Sequence, residues 1–227
     1  MSASAGRPWR TGVRRATGGE LHARRPDGDG RVAEWYEVTR PAIVLGSAQP
    51  EDVVDRVAAG AAGVDVVRRH SGGGAVLLVP GEFLWLDVVV PRDDPLWSDD
   101  VGAAMWWLGE VWAEALVAVG APGAPGATVH RGPLQHTRWS RLVCFDGVGA
   151  GEVVIGERKA VGISQRRTRD AIRLQSSLHL VWRPDLLVSL LAPAPHLPTA
   201  ADLREPVTPA VAPPVLRAAV DHALSLR

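Results

Sequence analysis

The chain predicts an α+β fold, a mixed β-sheet flanked by helices in a single domain, and three observations carry that reading. Short β-rich runs dominate from Trp35 to Val90. An apolar stripe with helical spacing follows from Val101 to Val119. Two strand-like segments, Val153 to Ile155 and Arg158 to Ile163, then meet at the turn Gly156-Glu157. At 227 residues and 46% hydrophobic content the chain can bury one sizeable core.

Residues 1–30, rich in arginine and glycine, are expected to form a partly flexible N-terminal segment ahead of a domain spanning 31–227. The first dozen are expected to be disordered, and Arg24-Arg-Pro-Asp-Gly-Asp-Gly30 to form an exposed turn. Phe83 to Val90 is apolar on both faces except at Asp87, the pattern of a central strand. Asp87 is read as structural, with assistance to Mg²⁺ as the alternative. Ser98-Asp-Asp100 reads as a cap with an acidic first turn, and the helix after it places Val101, Met105, Leu108, Trp112, Leu116 and Val119 on one stripe. Gly120 can end that helix. Trp112 belongs to the core, whereas Trp106 and Trp107 cannot both share its face. Gly120-Ala-Pro-Gly-Ala-Pro-Gly126 is a loop within the domain, and beyond Trp182 come proline-punctuated helices, the last near Val215 to Ser225.

The one lysine of the chain, Lys159, stands against twenty-four arginines. In so skewed a composition lysine is expected where a compact ammonium is needed and a guanidinium fork will not serve, so Lys159 is the first catalytic candidate; the alternative is a surface residue on a hairpin. Strand alternation puts Lys159, Val161 and Ile163 on one face, and an ammonium on an apolar face calls for an anion. Gly162 in the same strand marks a close approach of ligand or backbone.

Ninety residues earlier an apolar strand ends in Arg68-Arg-His-Ser-Gly-Gly-Gly-Ala-Val76. Gly72, Gly73 and Gly74 can turn successive N–H groups toward an anion, and Arg68 or Arg69 can add a charge-assisted contact. A flexible turn is the alternative. The spacing fits neither a P-loop nor a dinucleotide-binding turn.

Together these segments resemble the lipoate-protein ligase family, with its Arg-Arg-x-Ser-Gly-Gly-Gly-Ala-Val loop and a later Gly-x-Lys-x-x-Gly-x-x-Gln-x-Arg segment. Here the second reads Gly156-Glu-Arg-Lys-Ala-Val-Gly-Ile-Ser-Gln-Arg166, with one additional residue before the lysine. Arg40-Pro-Ala-Ile-Val-Leu-Gly-Ser-Ala-Gln49 looks like the family's early strand and Gly-x-x-Gln turn, and the resemblance runs from about Pro41 to Trp182. It implies a biotin/lipoate-ligase-like catalytic domain that activates lipoate or octanoate as an acyl-adenylate, using ATP and Mg²⁺, and transfers it to a carrier lysine. The implied carriers are the lipoyl domain of a 2-oxoacid dehydrogenase E2 component or the glycine cleavage H protein.

By carry-over Lys159 would hold carboxylate or α-phosphate oxygens, while Arg68, Arg69, Ser71, Gly72, Gly73, Gly74, Ala75, Gly81, Gly162, Gln165 and Arg166 would bind substrate or nucleotide; no metal ligands are assigned. Lys159→Ala is expected to abolish transfer and leave folding intact. The chain departs from the family where Leu78-Val-Pro-Gly-Glu82 replaces His-Asp-x-Gly-Asn and where Leu174-Gln-Ser-Ser177 replaces Leu-Gln-His-Gly.

Cys144-Phe stands where related cysteine-dependent octanoyltransferases carry a Cys-Phe. In that branch the thiol would take the acyl group from acyl carrier protein, without cofactor; the alternative is a small buried hydrophobe. A third reading is a non-catalytic acyl-binding or regulatory relative. The remaining chain leaves no room for the accessory domain of some ligases, so a second subunit or transferase chemistry is expected. Zero formal charge argues against nucleic acid, although Arg166-Arg167-Thr-Arg169 could meet an acidic carrier. With one cysteine, no zinc-ligand spacing, no secretory signal and no apolar run near eighteen residues, a cytoplasmic protein without membrane association is expected, and the composition suggests a bacterial source.

Overall fold

A computed structural model describes residues 7–26 and 28–227. Ten strands form two sheets: β1 (Arg10–Ala16), β2 (Val32–Val38), β3 (Ala42–Leu45), β4 (Asp65–Arg68), β5 (Val76–Leu78), β6 (Phe83–Pro91), β7 (Ala127–Val129), β8 (Val153–Ile155), β9 (Arg158–Arg167) and β10 (Ala171–His179). The large sheet runs β1-β2-β6-β10-β9-β8-β7, and a small one runs β4-β3-β5. Both are mixed: β1 and β2 are parallel, as are β3 and β4, and the other pairs are antiparallel. Among the described residues five α-helices complete the fold: α1 (Gly18–Ala23), α2 (Arg56–Ala61), α3 (Trp106–Ala118), α4 (Pro184–Ser189) and α5 (Pro213–Ser225).

As expected for a central strand, β6 lies inside the large sheet and is buried along its whole length. Its alternate residues divide the protein into layers. Leu84, Leu86 and Val88 pack with Leu174 and Leu178 against α3 and α5, in a core centred on Trp112. Phe83 and Trp85 face the small sheet, where Val44 and Leu78 meet them. Trp112 is fully buried, edge-on to Trp35, and donates to the Ser176 hydroxyl at 2.9 Å, so its polar handle is satisfied.

Several expectations need correction. Far from lying outside the domain, residues 10–23 supply an edge strand and a helix, because β1 pairs with β2 and Thr17 and Glu20 form a capping box at the start of α1. The expected disorder of residues 1–6, and the part of the predicted turn at Asp27, fall outside the described residues. The third helix begins later than its acidic cap suggests: Asp100 accepts from the Ala103 N–H, a short 3₁₀ turn follows, and Val101 is exposed rather than on the core stripe. As expected, Trp106 and Trp107 do not share a face: Trp107 packs with Trp9 against the core around Trp112, and Trp106 lies under Arg131. Asp87 is held by Arg173, whose remaining donors reach the carbonyls of Leu21, His22 and Arg24, so the pair ties α1 to the sheet. Among the described residues no helix is long and apolar enough to cross a membrane.

Candidate active site

The layer between the two sheets holds a cavity of about 60 Å³ that opens to solvent. Its floor is the exposed face of the large sheet, read directly from the register. Trp85, Ser177 and Gly162 lie in one row across β6, β10 and β9, with Asp87, Gln175 and Ser164 in the next. Val44, Val76 and Leu78 of the small sheet form the roof, and His22 of α1 closes one side. Cys144 and Phe145 supply another wall.

The glycine loop forms part of that wall by stitching itself to the cysteine segment. Ala75 donates to the Leu142 carbonyl at 2.8 Å and accepts from Cys144 N–H at 3.0 Å. Gly74 is required there: a Cβ at this position would sit 2.6 Å from the Val143 carbonyl carbon and 2.7 Å from the Cys144 nitrogen. Gly73 has φ +95°, and a Cβ on it would lie 3.6 Å from the Cys144 sulfur. Gln49 of the early turn closes the arrangement, accepting from Gly46 N–H and donating to the carbonyls of Arg141 and Leu142.

Both arginines before the loop are engaged with backbone. Arg69 is buried and donates to the carbonyls of Val44, Gly72 and Gly74, and Arg68 donates to those of Gly46, Ser47 and Gln49. Arg69 braces the glycine loop while lining the cavity, and Arg68 braces the turn at residues 46–49 beside it. The buried Ser71 hydroxyl has no hydrogen-bond partner among the described residues, and the Ser71 carbonyl accepts from Ser47 N–H.

Lys159 points the opposite way from the sequence expectation. Val153 pairs with Val161 while Val154 pairs with Lys159, a bulge that inserts one residue into β9 and inverts the alternation ahead of it. Ala160, Val161 and Ile163 all enter the core beneath α3, and Lys159 joins the cavity side of the strand with Gly162. There its Nζ is 2.7 Å from Glu152 Oε2 and 2.8 Å from the Cys144 carbonyl oxygen, above the Phe145 ring at 5.1 Å. Lysine and glutamate are 3% and 4% exposed. The buried ammonium does have its anion, but that anion is part of the chain. Glu152 also accepts from the Gly149 and Ile163 N–H groups and is itself a wall of the cavity.

Gln165 and Gly81 are not brought to the cavity. Gln165 lies on the helix-facing side of β9 and donates to the Val101 carbonyl, and Gly81 is exposed in the turn between β5 and β6 with φ +77°. Arg166 does lie on the cavity side, bonded to the Arg24 carbonyl. It neighbours Arg25 and the imidazole of His70, a basic rim in which no carboxylate of the described residues is paired with any of the three. Burial, then the neighbouring Arg25 and Arg173, hold the Arg166 pKa below its ordinary value; burial, then Arg166, lower that of His70.

His22, Glu152, Ser164, Gln175 and Ser177 were missed as site residues. His22 lies in the segment read as flexible, and Glu152 precedes the lysine hairpin without a motif to mark it. Gln175 and Ser177 stand in the Leu174–Ser177 stretch, where the departure from the family pattern was the available signal.

Residues 13–208 match the family described as the lipoyl protein ligase A/B catalytic domain. The chain belongs to that family, whose members are ligases and acyltransferases. Among solved structures it resembles a lipoate-protein ligase A bound with ATP, with TM-score 0.71 and 20% identity, covering 96% of this chain and 84% of that one. It also resembles Ta0514, a T. acidophilum protein with bound lipoic acid, at TM-score 0.65, 19% identity and coverage of 96% and 84%. A bipartite ligase from Thermoplasma acidophilum, described with its E2 lipoyl domain, gives 0.67, 19%, 96% and 82%. At these identities the likeness concerns the fold. No curated protein matches the chain.

Proposed function

We propose that the protein activates lipoate or a related medium-chain acid as an acyl-adenylate and transfers the acyl group to a lysine of a lipoyl carrier domain. The observation that carries this reading is the pairing of a largely apolar cavity with two basic groups, Arg25 and Arg166, that no carboxylate of the described residues neutralises. Arg25 and Arg166, with the neutral His70 imidazole as a further hydrogen-bonding group, suit a nucleotide phosphate. In the first step the acid's carboxylate oxygen attacks the α-phosphorus of ATP and pyrophosphate leaves. In the second the carrier amine attacks the acyl carbon, losing a proton, and AMP leaves. Backbone N–H groups of the glycine loop and the basic rim would offset the charge that builds on phosphate.

ATP brings Mg²⁺ with it. Among the described residues no three His, Cys, Asp or Glu side chains cluster as a metal cage, and Glu152, a carboxylate at the cavity, is engaged with Lys159. The chain therefore fits a metal carried mainly on the phosphates, which it would help neutralise. Lys159 acts in this scheme as a positioning residue, fixing Glu152 and the Cys144–Phe145 wall.

The Cys144 thiol also lines the cavity, beside Gly73, and this favours a second reading: attack on an acyl carrier protein thioester, giving an acyl-enzyme and releasing the carrier thiol. Two assays separate the readings. Lipoate-dependent exchange of pyrophosphate into ATP, unaffected by Cys144→Ser, supports the adenylate. A mass increase of one acyl group after incubation with octanoyl-acyl carrier protein, lost in Cys144→Ser, overturns it in favour of the thiol. Tight lipoate binding with neither activity would make the protein a binding relative.

A further inference from the structure

The cavity floor is more polar than a plain alkyl chain requires. Ser164, Gln175 and Ser177 point from adjacent strands into the space under the apolar roof, and neither serine hydroxyl has a protein partner among the described residues. Ser177 stands where the family pattern has glycine, so this chain adds a hydroxyl to the floor. His22 closes the same space, its ring 4.7 Å from that of Trp85 and its buried Nδ1 without a hydrogen-bond partner.

These groups are neutral. Burial, followed by the nearby Arg173, Arg69 and His70 charges, pushes the His22 pKa down to about 3, so the imidazole is uncharged at neutral pH. The Gln175 amide donates to Asp87 Oδ2 at 3.3 Å, which orients it. The charged side chains beside them are already compensated: Arg69 by carbonyls, Glu152 by Lys159 and Asp87 by Arg173. A saturated chain laid on this floor would cover hydroxyls, an amide and an imidazole without giving them partners, which is costly.

We infer that the acid this cavity takes carries a neutral hydrogen-bonding group, a hydroxyl or ureido-type N–H, along its chain, and that His22, Gln175, Ser164 and Ser177 recognise it. The inference rests on the acyl-activating reading and narrows its substrate from lipoate to a related acid with a polar chain. A site built to hydrogen-bond a polar substituent discriminates strongly against the analogue that lacks it, because its own groups are then left unpaired.

Calorimetry on the full chain with octanoate, terminally hydroxylated octanoate, lipoate and biotin tests this. At least one polar-chain acid is expected to bind about tenfold or more tightly than octanoate and lipoate. His22→Phe, which keeps the stack on Trp85, and Ser177→Ala are each expected to reduce that ratio severalfold while leaving the melting temperature near that of the parent. Octanoate or lipoate binding as tightly as every polar acid, or a ratio unmoved by both variants, overturns the inference and leaves the acyl-activating reading standing. Absence of binding by any of the acids overturns both.

Discussion

Lys159 Nζ and Glu152 Oε2 are 2.7 Å apart, both side chains are almost fully buried, and together they underlie the Cys144 wall of the cavity. A residue singled out for its rarity as a free catalytic cation is thus half of an internal ion pair. Lys159→Ala would strand Glu152 without its counter-ion. The expectation that this variant folds normally is therefore replaced by a loss of about 3–5 kcal/mol in urea unfolding, together with loss of acyl transfer. Replacing both members with apolar residues, as Lys159→Met with Glu152→Leu, should recover most of the stability and none of the activity.

Gly74 is packed against the backbone of Val143 and Cys144, with no room for a methyl group. Gly74→Ala should cost about 1–3 kcal/mol by overpacking. It should also slow reaction of Cys144 with a small thiol reagent such as iodoacetamide, or speed it, since the segment must shift. An unchanged melting temperature together with an unchanged alkylation rate would contradict the packing.

Arg69 holds the glycine loop through a planar fork that reaches three carbonyl groups. A lysine has a single ammonium and cannot span them. Arg69→Lys, although charge-conserving, is expected to lower stability by about 2–3 kcal/mol and to weaken ligand binding through a loosened loop. Denaturant unfolding and ligand titration of the same preparation measure the two effects.

Two buried histidines set a pH dependence of stability. Burial pushes His22 down to about 3 and His179, packed against Phe145 and Trp182, down to about 4, from an ordinary 6.5. Below that ordinary value the unfolded chain binds protons that the folded chain does not. Stability is therefore fully present above pH 6.5 and falls as pH drops toward about 4, by up to about 1.4 kcal/mol per pH unit for each histidine. His179→Phe should remove about half of the slope between pH 6.5 and 5, a range above that in which ordinary carboxylates titrate. Chemical unfolding at several pH values reads this directly.

Arg166 and Arg25 form a basic rim beside the His70 imidazole, and among the described residues Arg166 makes one hydrogen bond, to the Arg24 carbonyl. Arg166→Ala is expected to raise the KM for ATP about tenfold and to leave the melting temperature within a few degrees of the parent. If KM for the acid moved instead, the rim would belong to the acyl group and not to the nucleotide.

What the sequence determined by itself is local. The hairpin around Gly156-Glu157, the buried strand from Phe83 and the helix through Trp112 each follow from patterns of a few residues, and all three are present. Ordered motifs over most of the chain sufficed to place it in its family. The tertiary structure decided which way the key side chains face and which charges remain uncompensated. Alternation along a strand assumes unbroken pairing, and the one-residue bulge opposite Val153 and Val154 sends Lys159 to the cavity side. Charge compensation depends on partners distant in sequence, so Arg69 is spent on its own loop while Arg166, Arg25 and His70 gather from three segments. His22 reaches the cavity because β1 joins β2 and Arg173 holds the carbonyls of α1, contacts between segments that no local pattern encodes.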